Sequence, residues 1–398
     1  MPSTQTRRRF LAACGACGLG SLTGCLGSDG GHDAAADAAG DRIDWPTAGH
    51  DQANTNYVPD APSIRGVTEV ARFESGLNAS QPVVVDGTLY HIADTLRAID
   101  VESGDDRWSV APEEKQGNFW AAPTVRNGTV YLANGHQRVH AVDAGTGEKR
   151  WTTEVDVGPY VTPTLGHDGE TLFVGGEGHV SGLDTATGEV AWTHDLFGQV
   201  RNTLAYRRGV VYAVTEGGEL YALDEYGDGY WRVDLPAKCQ TPPTLAGRQV
   251  FVGTFDGFVH AVDTTRANLA WSTEVGGFAK GGIAVADGTV YADGGRKLHA
   301  LDADSGAKQW AFDVGTTGDH TPVVAGDTVF TTGKRLYALK PDGGFSNGAI
   351  RQETLRFSHP TGGYAGPMSV ADGRVYVTAR IGAEEGNQTT AVLVLDGA

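Results

Sequence analysis

Lysine is nearly missing from this chain. Eight lysines occur in 398 residues, and Lys+Arg (31) falls far short of Asp+Glu (49), giving a net charge of -18. Such a chain lacks the basic footprint that a phosphate backbone requires, which excludes nucleic acid as a partner. Cysteine is almost as scarce, with four residues. Cys14 and Cys17 lie in an N-terminal leader and Cys25 in a modification motif, so Cys239 is left alone. That excludes an intrachain disulfide, and it removes the one C-x-x-C pair from redox or zinc chemistry. No apolar run beyond the N-terminus is long enough to span a bilayer. The acid is spread along the whole chain, and Asp (32) outnumbers Glu (17). A carboxylate-rich, Lys-poor surface of this kind stays hydrated in concentrated salt.

What the chain has in quantity is glycine, 57 residues, and a repeat. The clearest copy is APTVRNGTVYLANGHQRVHAVDAGTGEKRW, ending at Trp151. Each copy reads as a short strand, a tight turn, an aromatic on a second strand, an Asp before a Thr/Ser-Gly turn, and a Trp. The second-strand aromatics are Tyr90, Tyr131, Phe173, Tyr212, Phe251, Tyr291, Phe330 and Tyr376. Their spacing is near 40 residues, with a longer last interval of 46. A period of about 40 with four short strands per unit predicts an all-β, eight-bladed β-propeller with four-stranded antiparallel blades. Asn-Gly and Asp-Gly pairs at 86–87, 127–128, 168–169, 287–288 and 372–373 predict hairpin turns.

The repeated acids Asp100, Asp143, Asp184, Asp224, Asp263 and Asp302 tempt a metal or catalytic reading. Each precedes a turn whose backbone N–H groups it can accept, and identical placement in six blades argues for a structural part. Trp108, Trp151, Trp192, Trp231, Trp271 and Trp310 are expected to pack between blades for the same reason. The last copy stops before its outer strand, and VTEVARFESG at 67–76 resembles an outer strand. The N-terminal strand is therefore expected to complete the last blade and close the ring.

The first residues read as an address. TRRRFLA, with Arg7 and Arg8 before an apolar small-residue stretch, resembles a twin-arginine export signal over 1–24. LTGC at Leu22–Cys25 resembles a lipobox, which implies a lipid on Cys25. Residues 25–43 read as a flexible acidic tether, 44–66 as a lead-in, and 67–398 as the propeller. Export route, lipobox and acidity together resemble a haloarchaeal lipoprotein on the extracytoplasmic face of the plasma membrane.

The D-x-x-T-G-E-x-x-W turn and the W-P…N-T segment of the lead-in resemble the pyrroloquinoline quinone (PQQ) repeat propellers, over about residues 67–398. Two branches bear on function. In quinoprotein alcohol dehydrogenases eight blades carry PQQ and calcium, with an adjacent Cys-Cys pair against the cofactor. That pair is absent here, and no calcium-ligand set is carried over. BamB-type lipoproteins are non-catalytic scaffolds, and they match better in length and lipobox. The resemblance thus implies a membrane-anchored, monomeric, BamB-like scaffold with no catalytic residue, no metal and no assigned cofactor. The alternative is a quinoprotein oxidoreductase with PQQ in the central channel.

One feature does not reduce to the repeat. Aligned on the inner-strand Pro or its equivalent, the positions three and five before it include Trp120, Tyr160, Arg201, Lys238, Gln240 and Lys280, with His320 and Tyr364 as neighbours. Alternation puts these on one side of the strand and Ala121, Val161 and Val200 on the other. A basic, aromatic-lined channel mouth would suit a planar anion such as PQQ, an acidic sugar or a carboxylate. The competing reading is that the basic groups offset nearby acids such as Asp319 and hold strand register. Sequons at Asn78, Asn127 and Asn387 would permit glycosylation outside the cell.

Overall fold

A computed structural model describes residues 42–398, apart from 75–79, 93–94, 112–118, 135–136, 159, 278–280, 316–320, 348–349, 382–388 and 398. Eight sheets follow one another along the chain, each with four antiparallel strands, and the seventh gains a fifth where Tyr57–Val58 pairs parallel with Val323–Ala325. Numbered from Val83, they are blades 1 to 8. Inner strands of successive blades touch, blades 2 and 3 through the Thr124 hydroxyl donating to Pro163 O, and that of blade 8 touches that of blade 1, so the ring is closed. Val67–Glu74 is the outer strand of blade 8, paired antiparallel with Thr389–Gly397. The expected eight-bladed propeller and its closure by the N-terminal strand are both present. No helix among the described residues is long and apolar enough to cross a membrane.

The repeat works by size complementarity across each blade. The second-strand aromatic, a small residue on the third strand and the outer-strand Trp stand in one row. In blade 1 these are Tyr90, Ala98 and Trp108; in blade 3 they are Phe173, Gly182 and Trp192. The small residue lets the two rings meet, at centroid distances of 5.8–6.1 Å in blades 1 to 6. A Cβ on Gly182 would sit 2.4 Å from Trp192. Blade 7 places Phe357 in the Trp position, against Phe330 at 6.3 Å. In blade 8 Ala71 takes that position, and Phe73 reaches over to Gly104 of blade 1.

All six repeated Asp side chains act in turns. Asp100 accepts from the N–H groups of Glu102 and Ser103, and Asp184 from those of Ala186 and Thr187. The same holds at Asp143, Asp224, Asp263 and Asp302. The Ser103 N–H above all, then the Arg107 guanidinium, holds the Asp100 carboxyl far below the usual carboxylate range. Asp143 is depressed first by Arg150 and then by the Thr146 N–H.

Four of the five predicted hairpins are tight turns with both central residues left-handed, such as Asp86 (φ 49) and Gly87 (φ 68). The fifth differs. Only Gly169 is left-handed, and the hairpin closes through Gly166 N–H and Thr171 O. Two extra residues in that loop explain the difference. Every outer strand bulges one residue before the Trp position, at Arg107, Arg150, Ala191, Tyr230, Ala270, Gln309, Arg356 and Val70. A bulge distorts an otherwise open edge and discourages strand addition by another chain. At Arg107 and Arg150 it also turns the guanidinium back onto Asp100 and Asp143, each at 2.7 Å. The interval of 46 residues is explained by a small hairpin, Phe345–Asn347 with Ile350–Gln352, inserted in blade 7.

The lead-in does more than precede the ring. Its carbonyls accept, in chain order, from inner-strand N–H groups of blade 8 (Ile43 from Asp372), blade 1 (Trp45 from Val84) and blade 2 (Pro46 from Val125). They continue to blade 4 (Gln52 from Tyr206), blade 5 (Ala53 from Leu245), blade 6 (Thr55 from Val285) and blade 7 (Asn56 from Val324). The free edges of inner strands face the axis, so a segment bonded to seven of them runs around the inside of the channel as a belt. The belt closes on itself through Asn56 N–H and Gly49 O, 2.8 Å apart. Trp45 is fully buried on it, and Asn54 bridges blades 4 and 5 by donating to Leu204 O and Pro243 O.

Candidate ligand-binding mouth of the channel

In six of its seven bonds the belt pairs with the residue two past the aligned Pro position, whereas the predicted mouth residues lie three to five before it. The predicted residues precede the inner strands, in the segments that lead into them, and the belt runs beside the strands themselves. Trp120 and Tyr160 are 37% and 51% exposed, with rings edge to face at 5.9 Å and 77°. Their chain neighbours Ala121 and Val161 are buried. Tyr364 is 52% exposed, and its carbonyl accepts from Arg380 N–H at 2.9 Å.

The cations are more constrained than the sequence suggested. Arg201 donates through Nε and Nη2 to Gln199 Oε1 at 3.1 and 2.9 Å, and its Nε lies 3.1 Å from Glu216 Oε2. Glu216 was not among the acids foreseen. It follows the second strand of blade 4, at a position where only blades 1 and 3 also carry an acid, Asp94 and Glu177, so no regular signal marks it. Its backbone knits blade 4 to blades 3 and 5: its N–H donates to Gln199 O of blade 3, and its O accepts from Cys239 N–H ahead of blade 5. Lys238 and Gln240 flank Cys239, with Lys238 exposed. Cys239 itself is buried, donates toward Gly253 O at 3.1 Å, and burial pushes its thiol up to about 11. It is a core residue. Gly158 backs onto blade 4 so closely that a Cβ would meet Val200 O at 2.6 Å and Arg201 Cα at 3.4 Å. Trp120, Tyr160, Arg201 with Glu216, and Lys238 thus follow one another over blades 2 to 5. Lys280 and His320, with Asp319, lie outside the described residues, as do Arg7, Arg8 and Cys25.

A family model described as "Outer membrane protein assembly factor BamB" matches residues 34–177, 135–229 and 176–379. The chain belongs to this PQQ-repeat family. Within it, the protein of the same name from Yersinia pestis is 29% identical over 134 residues. That match covers 29% of this chain and 34% of the relative, so it spans about a third of the relative's length. BamB from Moraxella catarrhalis superposes with a TM-score of 0.66 at 16% identity, covering 83% of this chain and 98% of that one. Quinohemoprotein alcohol dehydrogenase from Comamonas testosteroni gives 0.71 at 15% identity, covering 89% and 80%. A europium-containing methanol dehydrogenase gives 0.73 at 12%, covering 89% and 98%. At these identities the likeness is one of fold.

The described residues do not fit the PQQ and calcium centre of the dehydrogenase branch. No two cysteines are adjacent in the chain. Among the described residues no group of three His, Cys, Asp or Glu comes together to hold a metal. The six repeated carboxylates are all engaged in turns.

Proposed function

We propose that this protein is a lipid-anchored, extracytoplasmic scaffold that binds a protein or an anionic ligand at the open channel mouth without catalysis. The observation that carries this reading is the distribution of polar groups. Six repeated acids hold turns, the belt runs beside the inner strands, and the mouth presents exposed rings and a braced arginine. Among the described residues that is a recognition surface with no paired acid and base poised for chemistry. Family membership supports it, as do the Arg7–Arg8 signal and the Cys25 lipobox for the location.

Two measurements test it. Replacing Cys25 with Ser should move the protein from the membrane fraction to the medium. Full-length protein titrated with PQQ and calcium should give neither a saturable change in quinone absorbance nor dye-linked alcohol oxidation. Saturable binding with turnover would replace the scaffold by a quinoprotein oxidoreductase.

A further inference from the structure

Resting on the reading of the mouth as the binding face, we propose that its ligand is an acidic oligosaccharide, a run of pyranose rings bearing carboxylates. Three features of the mouth point there. Trp120 and Tyr160 meet edge to face, so they form no parallel slot for a flat ring. They leave partly open ring faces, the electron-rich surface on which the C–H face of a sugar packs. The cations follow these rings on the next two blades, so ring faces and positive charge succeed one another around the mouth. An extended ligand with alternating C–H faces and carboxylates matches that layout; a compact one does not.

Arg201 supplies the second feature. Gln199 and Glu216 fix its Nε and Nη2 side. The remaining donors of the fork are held in place for a carboxylate, with the ordering done before the ligand arrives. Lys238, exposed on blade 5, is the next cation in blade order. The third feature is charge. A molecule of net charge -18 repels polyanions at long range. At about 1 M salt the screening length falls to about 3 Å, which removes that repulsion and leaves contact pairs in place. Binding should therefore persist in concentrated salt.

The test is calorimetric titration of the full chain with trigalacturonate, beside maltotriose (rings without charge) and citrate (carboxylates without rings). Trigalacturonate should bind with a dissociation constant below about 1 mM and at least about 10-fold tighter than either control. Trp120→Ala should weaken it about 10-fold while Trp120→Phe largely retains it, and Arg201→Gln should reduce it to the level of maltotriose. Melting temperatures of the variants should match the parent, since both side chains are partly exposed. Equal binding of citrate and trigalacturonate would overturn the sugar assignment and leave an anion site at the mouth. No binding of any probe would overturn the proposal, and crosslinking to a membrane neighbour through the same residues would then decide whether the mouth is a protein-docking face.

Discussion

The six-membered ring of Trp192 covers Gly227 so closely that a Cβ there would lie 2.6 Å from it, and the indole N–H donates to Glu225 O at 3.0 Å. One tryptophan thus clasps the turn of the following blade by shape and by hydrogen bond. The same clasp joins Trp108 to Gly147, Trp151 to Gly188, Trp271 to Gly306 and Trp310 to Gly343. Gly227 has φ 90, so glycine answers two demands there, left-handed backbone and room for the ring. Trp192 is half-buried, so Trp192→Ala should cost about 3 kcal/mol, the low end for aromatic truncation. A thermal melt indistinguishable from the parent would show that the clasp contributes nothing to inter-blade cohesion.

Blade 5 breaks the pattern and shows what the glycine does. Its turn carries Ala267 at φ 52 where the other turns have glycine. Among the described residues Trp231, which faces this turn, lacks the indole hydrogen bond that its five counterparts make. A left-handed alanine costs about 1–2 kcal/mol, and glycine recovers this less the extra freedom it gives the unfolded chain. Ala267→Gly should therefore raise stability by about 0.5–1 kcal/mol, read as a higher midpoint in denaturant unfolding. A lower midpoint would mean the turn is not strained.

The belt gives a sharper contrast. Asn54 is buried at φ 57, and its amide holds the carbonyls of Leu204 and Pro243 at 3.1 and 2.9 Å. Asn54→Gly keeps the backbone and leaves two buried carbonyls without that donor, at a cost of about 1–3 kcal/mol. Asn54→Ala adds left-handed strain and should fall below it by about 1 kcal/mol more. Equal stability of the two variants would remove the backbone argument, and parent-like stability of both would remove the belt as a tie between blades.

The blades were legible in the sequence because their physics is local and periodic. An aromatic, a small residue and a Trp recur at fixed spacing, and Asp100 and its five equivalents announce a turn within three residues. The ring closure was legible because Val67–Glu74 looks like a missing outer strand. The belt was not. Its bonds join Ile43 to Asp372 and Asn56 to Val324, and they use backbone carbonyls, which leave no mark on composition. Only the asparagines at 54 and 56, tolerant of left-handed backbone, hint at it. At the mouth, Trp120 and Tyr160 could be singled out because the residues at their position break from the repeat, beside small or apolar neighbours. The brace on Arg201 depends on Glu216, which no period predicts.

Buried histidines set the response to acid. His91 is fully buried in blade 1 and faces blade 8, where the side chain of Ser369 is also buried. Neither ring nitrogen of His91 has a hydrogen-bond partner, and the Ser369 hydroxyl has none. Burial, with a smaller push from Arg97, lowers His91 from its ordinary 6.5 to about 4. His140, between blades 1 and 2, is lowered to about 4 chiefly by burial, though Asn134 and Thr152 satisfy both its nitrogens. A group lowered on folding binds its proton more readily in the unfolded chain. Its stabilisation is complete above about pH 6.5, and it is lost as pH falls from there toward 4, up to tenfold in the folding constant per pH unit for each histidine. The turn aspartates, held low, withdraw their support only in more acid solution. Asp293, which burial raises well above its ordinary value, works in the opposite direction. Comparing His91→Leu with the parent cancels these shared contributions. Between pH 6.5 and 4.5 the variant should lose stability with a slope about one proton shallower, measured by denaturant midpoints across that range. Identical slopes would place His91 in contact with solvent or with a partner that stabilises its cation, and the buried seam between blades 8 and 1 would have to be redrawn.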